Sequence, residues 1–330
     1  MTAAEIIRRV REIQVRTGRQ VADVLAGEYV SVFKGGGIEF EEVRPYVPGD
    51  DIRTIDWNVT ARTGEPFVKR FVEERQLTLL LMADISASQD FGSAARSKRE
   101  AAAELCALLA FSAIRNDDKV GLVLFHGDVE QYIPPRKGQK HALRVVREVL
   151  AHGELDHGPE QERNGDAGDL LARVREAARR FLPASTRRLR RARQATDIAR
   201  AMRFAMSVTK RRAVCFVVSD FLDDGFERAL TTANQKHDVI AVLVTDPREI
   251  EVPPVGLVAL EDAESGRTRL YDTGSSAFRR TTQELAARRI VDLEKRLRRA
   301  GIDFIHIDAS GSVVDPIVRF FKMRERRMRR

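Results

Sequence analysis

Between Leu77 and Ile307 the chain repeats one alternation, a short unbroken apolar run followed by a stretch with apolar residues at helical spacing. The runs Leu77 to Ala83 (LTLLLMA), Val120 to Phe125 (VGLVLF), Ala213 to Val218, Val239 to Val244 and Ile302 to Ile307 predict strands covered on both faces, as in a parallel sheet. Val129 to Ile133 predicts a short further strand. Between the runs, Ala102, Leu105, Cys106, Leu109 and Ala113 fall on one helical face, and further helices are expected over His141 to Leu150, Phe226 to Ala233 and Thr282 to Ala300. In the last of these Ala286, Ile290, Leu293 and Leu297 form the inward stripe and Gly301 is placed to end it. The expectation is an α/β fold with a doubly wound, mainly parallel sheet and helices on both faces.

The flanks depart from this pattern. Residues 1 to 27 place Ile6, Val10, Ile13, Val21 and Leu25 at helical spacing, a helical lead-in; Gly27 to Glu74 is punctuated by glycine, proline and aromatic residues, which predicts short β-strands and tight turns. Within it Pro48-Gly49 suits a turn, and Trp57 is expected to pack inward. We therefore divide the chain into a segment over 1–74 and an α/β domain over 75–330. Residues 153–170 read as a polar loop. Asp315-Pro316 reads as the cap and first turn of a C-terminal helix, which ends in MRERRMRR.

The composition, 43% hydrophobic and 32% charged over 330 residues, is that of an ordinary globular chain. Its net charge of +8 is unevenly placed: residues 173–193 hold nine arginines against Glu176, and residues 319–330 hold seven Arg or Lys against Glu325, so the remainder carries about −6. The basicity belongs to two segments and not to the fold. The two cysteines, Cys106 and Cys215, lie in apolar stretches and are expected to be buried and reduced, which fits a cytoplasmic setting. No apolar run approaches the ~20 residues of a membrane span, and the N-terminus has no signal-peptide core.

In an open parallel sheet ligands bind beyond the carboxyl ends of the strands. The first run ends in Asp84-Ile85-Ser86-Ala87-Ser88, the run over 213–218 ends in Ser219-Asp220, and Thr196-Asp197 heads the helical pattern leading into that run. A carboxylate and two hydroxyls at alternate positions, with a threonine and a second carboxylate, form a hard oxygen donor set suited to Mg2+, Mn2+ or Ca2+. The same residues also suit helix capping, and both readings stand on the sequence alone. His126 follows a strand but has no metal-ligand spacing around it, and no Cys-x-x-Cys or His-x-x-x-His appears, which argues against zinc. Gly35-Gly36-Gly37 lacks the spacing and lysine of a phosphate loop.

Asp84, Ser86, Ser88, Thr196 and Asp220 resemble the metal-ion-dependent adhesion site of von Willebrand factor A domains. GGGIEFEEVRPYVPGDDIRTIDWNVTAR followed by DISAS resembles the signature of the bacterial family called domain of unknown function 58. The resemblance implies a von Willebrand factor A-like (Rossmann-like) domain, a bound magnesium, and association with a MoxR-type AAA+ ATPase; it implies no enzymatic activity. Two departures stand out: Phe221 follows Asp220 where glycine is common in adhesion sites, and residues of about 155–193 read as an insertion.

The leading functional expectation is a metal-dependent protein-binding module whose partner offers an Asp or Glu carboxylate, a MoxR-type AAA+ ATPase or its client. A magnesium-dependent phosphohydrolase with Asp84 as nucleophile is the enzymatic alternative, but such enzymes carry an aspartate two residues on, where Ser86 stands. Nucleic-acid binding through Arg187, Arg188, Arg190, Arg191 and Arg193 is the third; no aromatic residues are interleaved there as on single-strand stacking platforms. No catalytic constellation is identified.

Overall fold

The computed structural model describes residues 37–74, 76–93, 96–151, 196–261 and 268–328. The helical lead-in over 1–27 and the arginine-rich insertion of about 155–193 lie outside the described residues. Two compact units are present, one over Phe33–Leu77 and one that includes Thr78–Arg330.

In the smaller unit β1 (Gly37–Pro45) pairs antiparallel with β2 (Phe67–Glu74), with an irregularity between Phe40 and Glu42. The helix α1 (Trp57–Thr63) lies between them in sequence. The three aspartates of the signature serve local structure. Asp50 accepts from Nη1 and Nη2 of Arg44 at 2.8 and 2.6 Å and from the Val47 N–H, closing a turn in which Gly49 has φ 110°. Asp51 caps a single 3-10 turn and Asp56 caps α1. Trp57 is the first residue of α1 and is 69% exposed, not packed inward as its size suggested.

The larger unit is built on a six-stranded sheet, with β3 (Thr78–Asp84), β4 (Lys119–Phe125), β5 (Val129–Arg136), β6 (Val214–Ser219), β7 (Asp238–Thr245) and β10 (Asp303–Asp308). The order is β10-β7-β6-β3-β4-β5; all neighbours are parallel except β4 and β5, which form an antiparallel edge. The central strands are buried along almost their whole length, which explains their unbroken apolar text.

Helix α2 (Lys98–Arg115) begins with a capping box of Ser97 and Glu100 and is buried on all sides, not on the one face its spacing suggested. Helix α3 (Gln139–Ala151) packs against it. On the face shared by Leu80, Met82, Cys215 and Val217 lie α4 (Ile198–Val208), α5 (Glu227–Asn234) and α7 (Ser276–Arg299), through Met202, Leu230, Leu293 and Leu297. A single turn, α6 (Pro247–Ile250), precedes a hairpin of β8 (Leu257–Glu261) and β9 (Thr268–Asp272) that the hydrophobic pattern did not announce. Gly301, with φ 72°, follows the end of α7, as the sequence predicts. The last helix, α8, spans Val314–Met328; the Asp315 N–H donates to Ser312 Oγ at 3.2 Å, so a serine three residues earlier supplies the capping expected of Asp315.

Candidate metal centre

From β3 the chain moves through α2 to β4 on one side, and from β6 through α5 to β7 on the other. The crevice between the ends of β3 and β6 is therefore where strand order reverses and where such sheets take ligands. Asp84 ends β3, Asp220 follows β6, and the two strands are hydrogen-bonded neighbours with Ala83 opposite Val218.

Asp84 is the hub. Its Oδ1 accepts from the Ser86 N–H at 2.9 Å; its Oδ2 accepts from Ser219 Oγ at 2.6 Å and from Thr196 Oγ1 at 3.4 Å. The hydroxyls of Ser86 and Ser88 lie 3.1 Å apart. Asp84, Ser86 and Asp220 are buried, whereas Ser88 and Thr196 are partly open to solvent.

Capping does not account for these hydroxyls. Ser86 precedes a single 3-10 turn without a side-chain capping bond, and α2 is capped by Ser97. Asp197, not Thr196, caps α4, accepting from the Arg200 N–H at 2.7 Å. Two bonds hold the Thr196 loop: the Asp197 N–H donates to the His126 carbonyl at 2.9 Å, and the Ile198 N–H donates to Asp223 Oδ2 at 2.9 Å. His126 itself turns its Nε2 to Glu130 at 2.7 Å.

Asp220 shares no hydrogen bond with the other four among the described residues. Its Oδ2 lies 3.0 Å from Lys98 Nζ, and its Oδ1 is buried without a hydrogen-bond partner among the described residues. Phe221 solves the problem set by the missing glycine. It takes φ 50°, the left-handed conformation that glycine adopts without strain, and it is held there by burial. Its ring meets Phe226 edge-on at 5.3 Å, and its N–H donates to Ser219 Oγ at 3.1 Å.

Burial, and after it the neighbouring charge of Asp220, pushes Asp84 up to about 6, against the opposing hydrogen bonds from Ser219 and Ser86. Lys98 meets part of this negative charge, but its own charge is shared with Glu249, so the two carboxylates of the crevice keep a net negative charge. The donor set of two carboxylates and three hydroxyls suits a hard divalent cation, and the orphaned Asp220 Oδ1 is the type of buried acceptor that such an ion satisfies. By these observations Asp84, Ser86, Ser88, Thr196 and Asp220 fit a metal ion. Among the described residues no group of three or more His, Cys, Asp or Glu forms a rival site, and Cys106 and Cys215 are free, buried thiols pushed up to about 12 by desolvation.

Two residues are missing from the donor set read from the sequence. On the sequence Ser219 is only the strand-end neighbour of Asp220; it is the last residue of β6, and only the pairing of β6 with β3 brings its hydroxyl to Asp84. Lys98, at a helix start, reads as a solvated cation; its one warning is that a lysine in the first turn faces the positive end of the helix dipole.

The architecture and this crevice define an α/β domain with an oxygen-rich site at its topological switch point. The chain belongs to the family described as "Protein of unknown function DUF58", whose model matches residues 42–291. It is 30% identical to "Uncharacterized protein Rv1480" of Mycobacterium tuberculosis over 318 residues, covering 96% of this chain and 89% of that protein. It is also 28% identical to "Uncharacterized protein YeaD" of Bacillus subtilis over 111 residues, covering 33% of this chain and 26% of that protein. Similar solved structures include the conserved hypothetical protein BatB from Bacteroides thetaiotaomicron, with TM-score 0.42, 15% identity, and coverage of 76% of this chain and 99% of that one. Another is the SpRpn10 VWA domain, with TM-score 0.33, 13% identity, and coverage of 73% and 93%. Among the described residues no helix is long and apolar enough to cross a membrane.

Proposed function

We propose that this chain is a protein-binding module in which Asp84, Ser86, Ser88, Thr196 and Asp220 hold a divalent cation, magnesium first and manganese or calcium as alternatives, and a partner's Asp or Glu completes the set. The observation that carries this reading is the convergence of Ser86, Thr196 and Ser219 on the buried Asp84, beside a buried Asp220 oxygen that has no hydrogen-bond partner among the described residues. When bound, the cation supplies a Lewis-acidic position that a carboxylate can occupy. The residues of the chain do the rest. Ser219 and the Ser86 N–H fix the Asp84 carboxylate, and Ser88 and Thr196, partly open to solvent, form the rim through which a partner enters. No residue need act as acid, base or nucleophile.

Two of the three loops that carry the centre also set an apolar side chain in solvent: Phe91, three residues after Ser88, is 46% exposed, and Leu222, two residues after Asp220, is 50% exposed. An acidic residue flanked by apolar neighbours is the partner chemistry that such a rim favours. The family resemblance carried by residues 35–62 directs the choice of partner to a MoxR-type AAA+ ATPase or a client that it remodels. The test is a titration of the full chain with that ATPase in magnesium and in EDTA. Chelation is expected to weaken the complex roughly a hundredfold, the scale on which charged contacts at interfaces are lost. Equal affinity in both conditions removes the metal-bridged mechanism.

A further inference from the structure

Lys98 is placed at high electrostatic cost. It is the first residue of α2, where a cation faces the positive end of the helix dipole, and its side chain is 0% exposed, so its ammonium has given up its hydration. Ordinary packing gives no reason for either cost, because a methionine or leucine fills the same space without a charge. The compensation comes from two other strand ends: Nζ lies 3.0 Å from Asp220 Oδ2, in the loop after β6, and 2.5 Å from Glu249 Oε1, in α6 after β7. Glu249 is held in turn by the capping box of α6, since its Oε2 accepts from the Asp246 N–H at 3.1 Å. The ammonium thus takes one oxygen of Asp220 and leaves the other, Oδ1, buried and without a hydrogen-bond partner among the described residues.

We infer that Lys98 is the resident cation of this centre: its single charge is shared between Asp220 and Glu249 in the metal-free protein, and it holds Asp220 with one oxygen committed and one available and weakens divalent-cation binding. The inference rests on the reading of the crevice as a cation centre, but it makes a separate claim. A divalent ion, were Asp220 to help hold it, would share that carboxylate with the fixed charge of Lys98, and like charges in a desolvated crevice repel strongly. The centre is then tuned for loose occupancy, so that a partner's carboxylate, which brings added negative charge, contributes appreciably to holding the ion. Metal and partner bind with positive cooperativity in such an arrangement.

The experiment compares the full-length wild type with Lys98→Met, a side chain of similar length without charge, by calorimetric titration with Mn2+ and by melting in EDTA and in saturating Mn2+. The variant is expected to melt lower in EDTA, to bind Mn2+ at least tenfold more tightly than the wild type, and to gain more in melting temperature from the ion. A lysine with only a structural role lowers the melting temperature and leaves Mn2+ affinity unchanged, and that result overturns the inference while the metal reading stands. Binding by Lys98→Met alone supports the inference and removes the metal from the wild type's function; binding by neither protein overturns both. Should Lys98→Met fail to fold, Glu249→Gln keeps the capping bond and leaves Asp220 as the one ion-paired carboxylate of the ammonium, with Asp246 a more distant charge. That variant is expected to bind Mn2+ severalfold more weakly than the wild type, and unchanged affinity overturns the inference.

Discussion

Ser219 Oγ donates to Asp84 Oδ2 at 2.6 Å, joining the ends of two adjacent parallel strands whose residues stand 135 apart in sequence. The same hydroxyl accepts from the Phe221 N–H at 3.1 Å, so one serine fixes both the hub carboxylate and the loop that presents Asp220. Ser219→Ala leaves a buried N–H and a buried carboxylate oxygen each short of a partner. The expected loss is about 1–3 kcal/mol in urea denaturation, with an unchanged m-value. A loss below about 0.5 kcal/mol would show that the serine does not organise the crevice.

Asp84 gives the metal-free protein a particular pH dependence. Its carboxyl titrates near 3.8 in the absence of perturbation and at about 6 in the fold, so between these values the native state holds more protons than the unfolded chain. The contribution of Asp84 to stability therefore declines as pH rises from about 4 to about 6, and above that range the ionised group is a cost. Asp84→Asn removes the charge; its amide oxygen can still accept from the Ser86 N–H, while its NH2 meets Ser219 Oγ with the direction of that bond reversed. In EDTA the variant is expected to melt several degrees above the wild type at about pH 7.5, with the gap closing toward about pH 4.5. A gap that does not vary with pH contradicts the assignment of the shift to this residue.

Phe221 predicts an inversion of the usual ranking of alanine and glycine. Phe221→Ala loses the contact with Phe226 and keeps a side chain in the left-handed conformation, at an expected cost of about 3–5 kcal/mol. Phe221→Gly loses the same contact but sheds the strain, so it is expected to be the more stable of the two by about 1 kcal/mol. Chemical denaturation of the pair decides the point; a less stable glycine variant means that the loop bears no such strain.

The legible parts of this molecule were those in which local chemistry and tertiary position coincide. Strands buried on both faces must be apolar throughout, so β3, β6 and β7 could be read directly, and the first polar residues after them, Asp84 and Asp220, mark the strand ends where the sheet opens. The strand β5 was legible from Val129 to Ile133, but its antiparallel direction was not, and the hairpin of β8 and β9 carries no such mark. In the hairpin Leu257 and Leu270 are 76% and 74% exposed, so no inward face writes an alternation into the sequence. Lys98 was hidden for the opposite reason: its partners, Asp220 and Glu249, lie 122 and 151 residues away, and only the folded sheet brings them together. Phe221 breaks the glycine pattern without breaking the loop, because a tertiary contact with Phe226 supplies what the backbone preference withholds.

The central claim is that the oxygens gathered on Asp84 bind a divalent cation. Ser86 and Ser88 test it most directly, since among the described residues their hydroxyls hydrogen-bond to each other and take no part in capping. Calorimetric titration with Mn2+ should show one site per chain in the wild type and none in the variant combining Ser86→Ala and Ser88→Ala, while the two proteins melt within a few degrees of each other in EDTA. Equal Mn2+ binding by both proteins, or none by the wild type, would contradict the account.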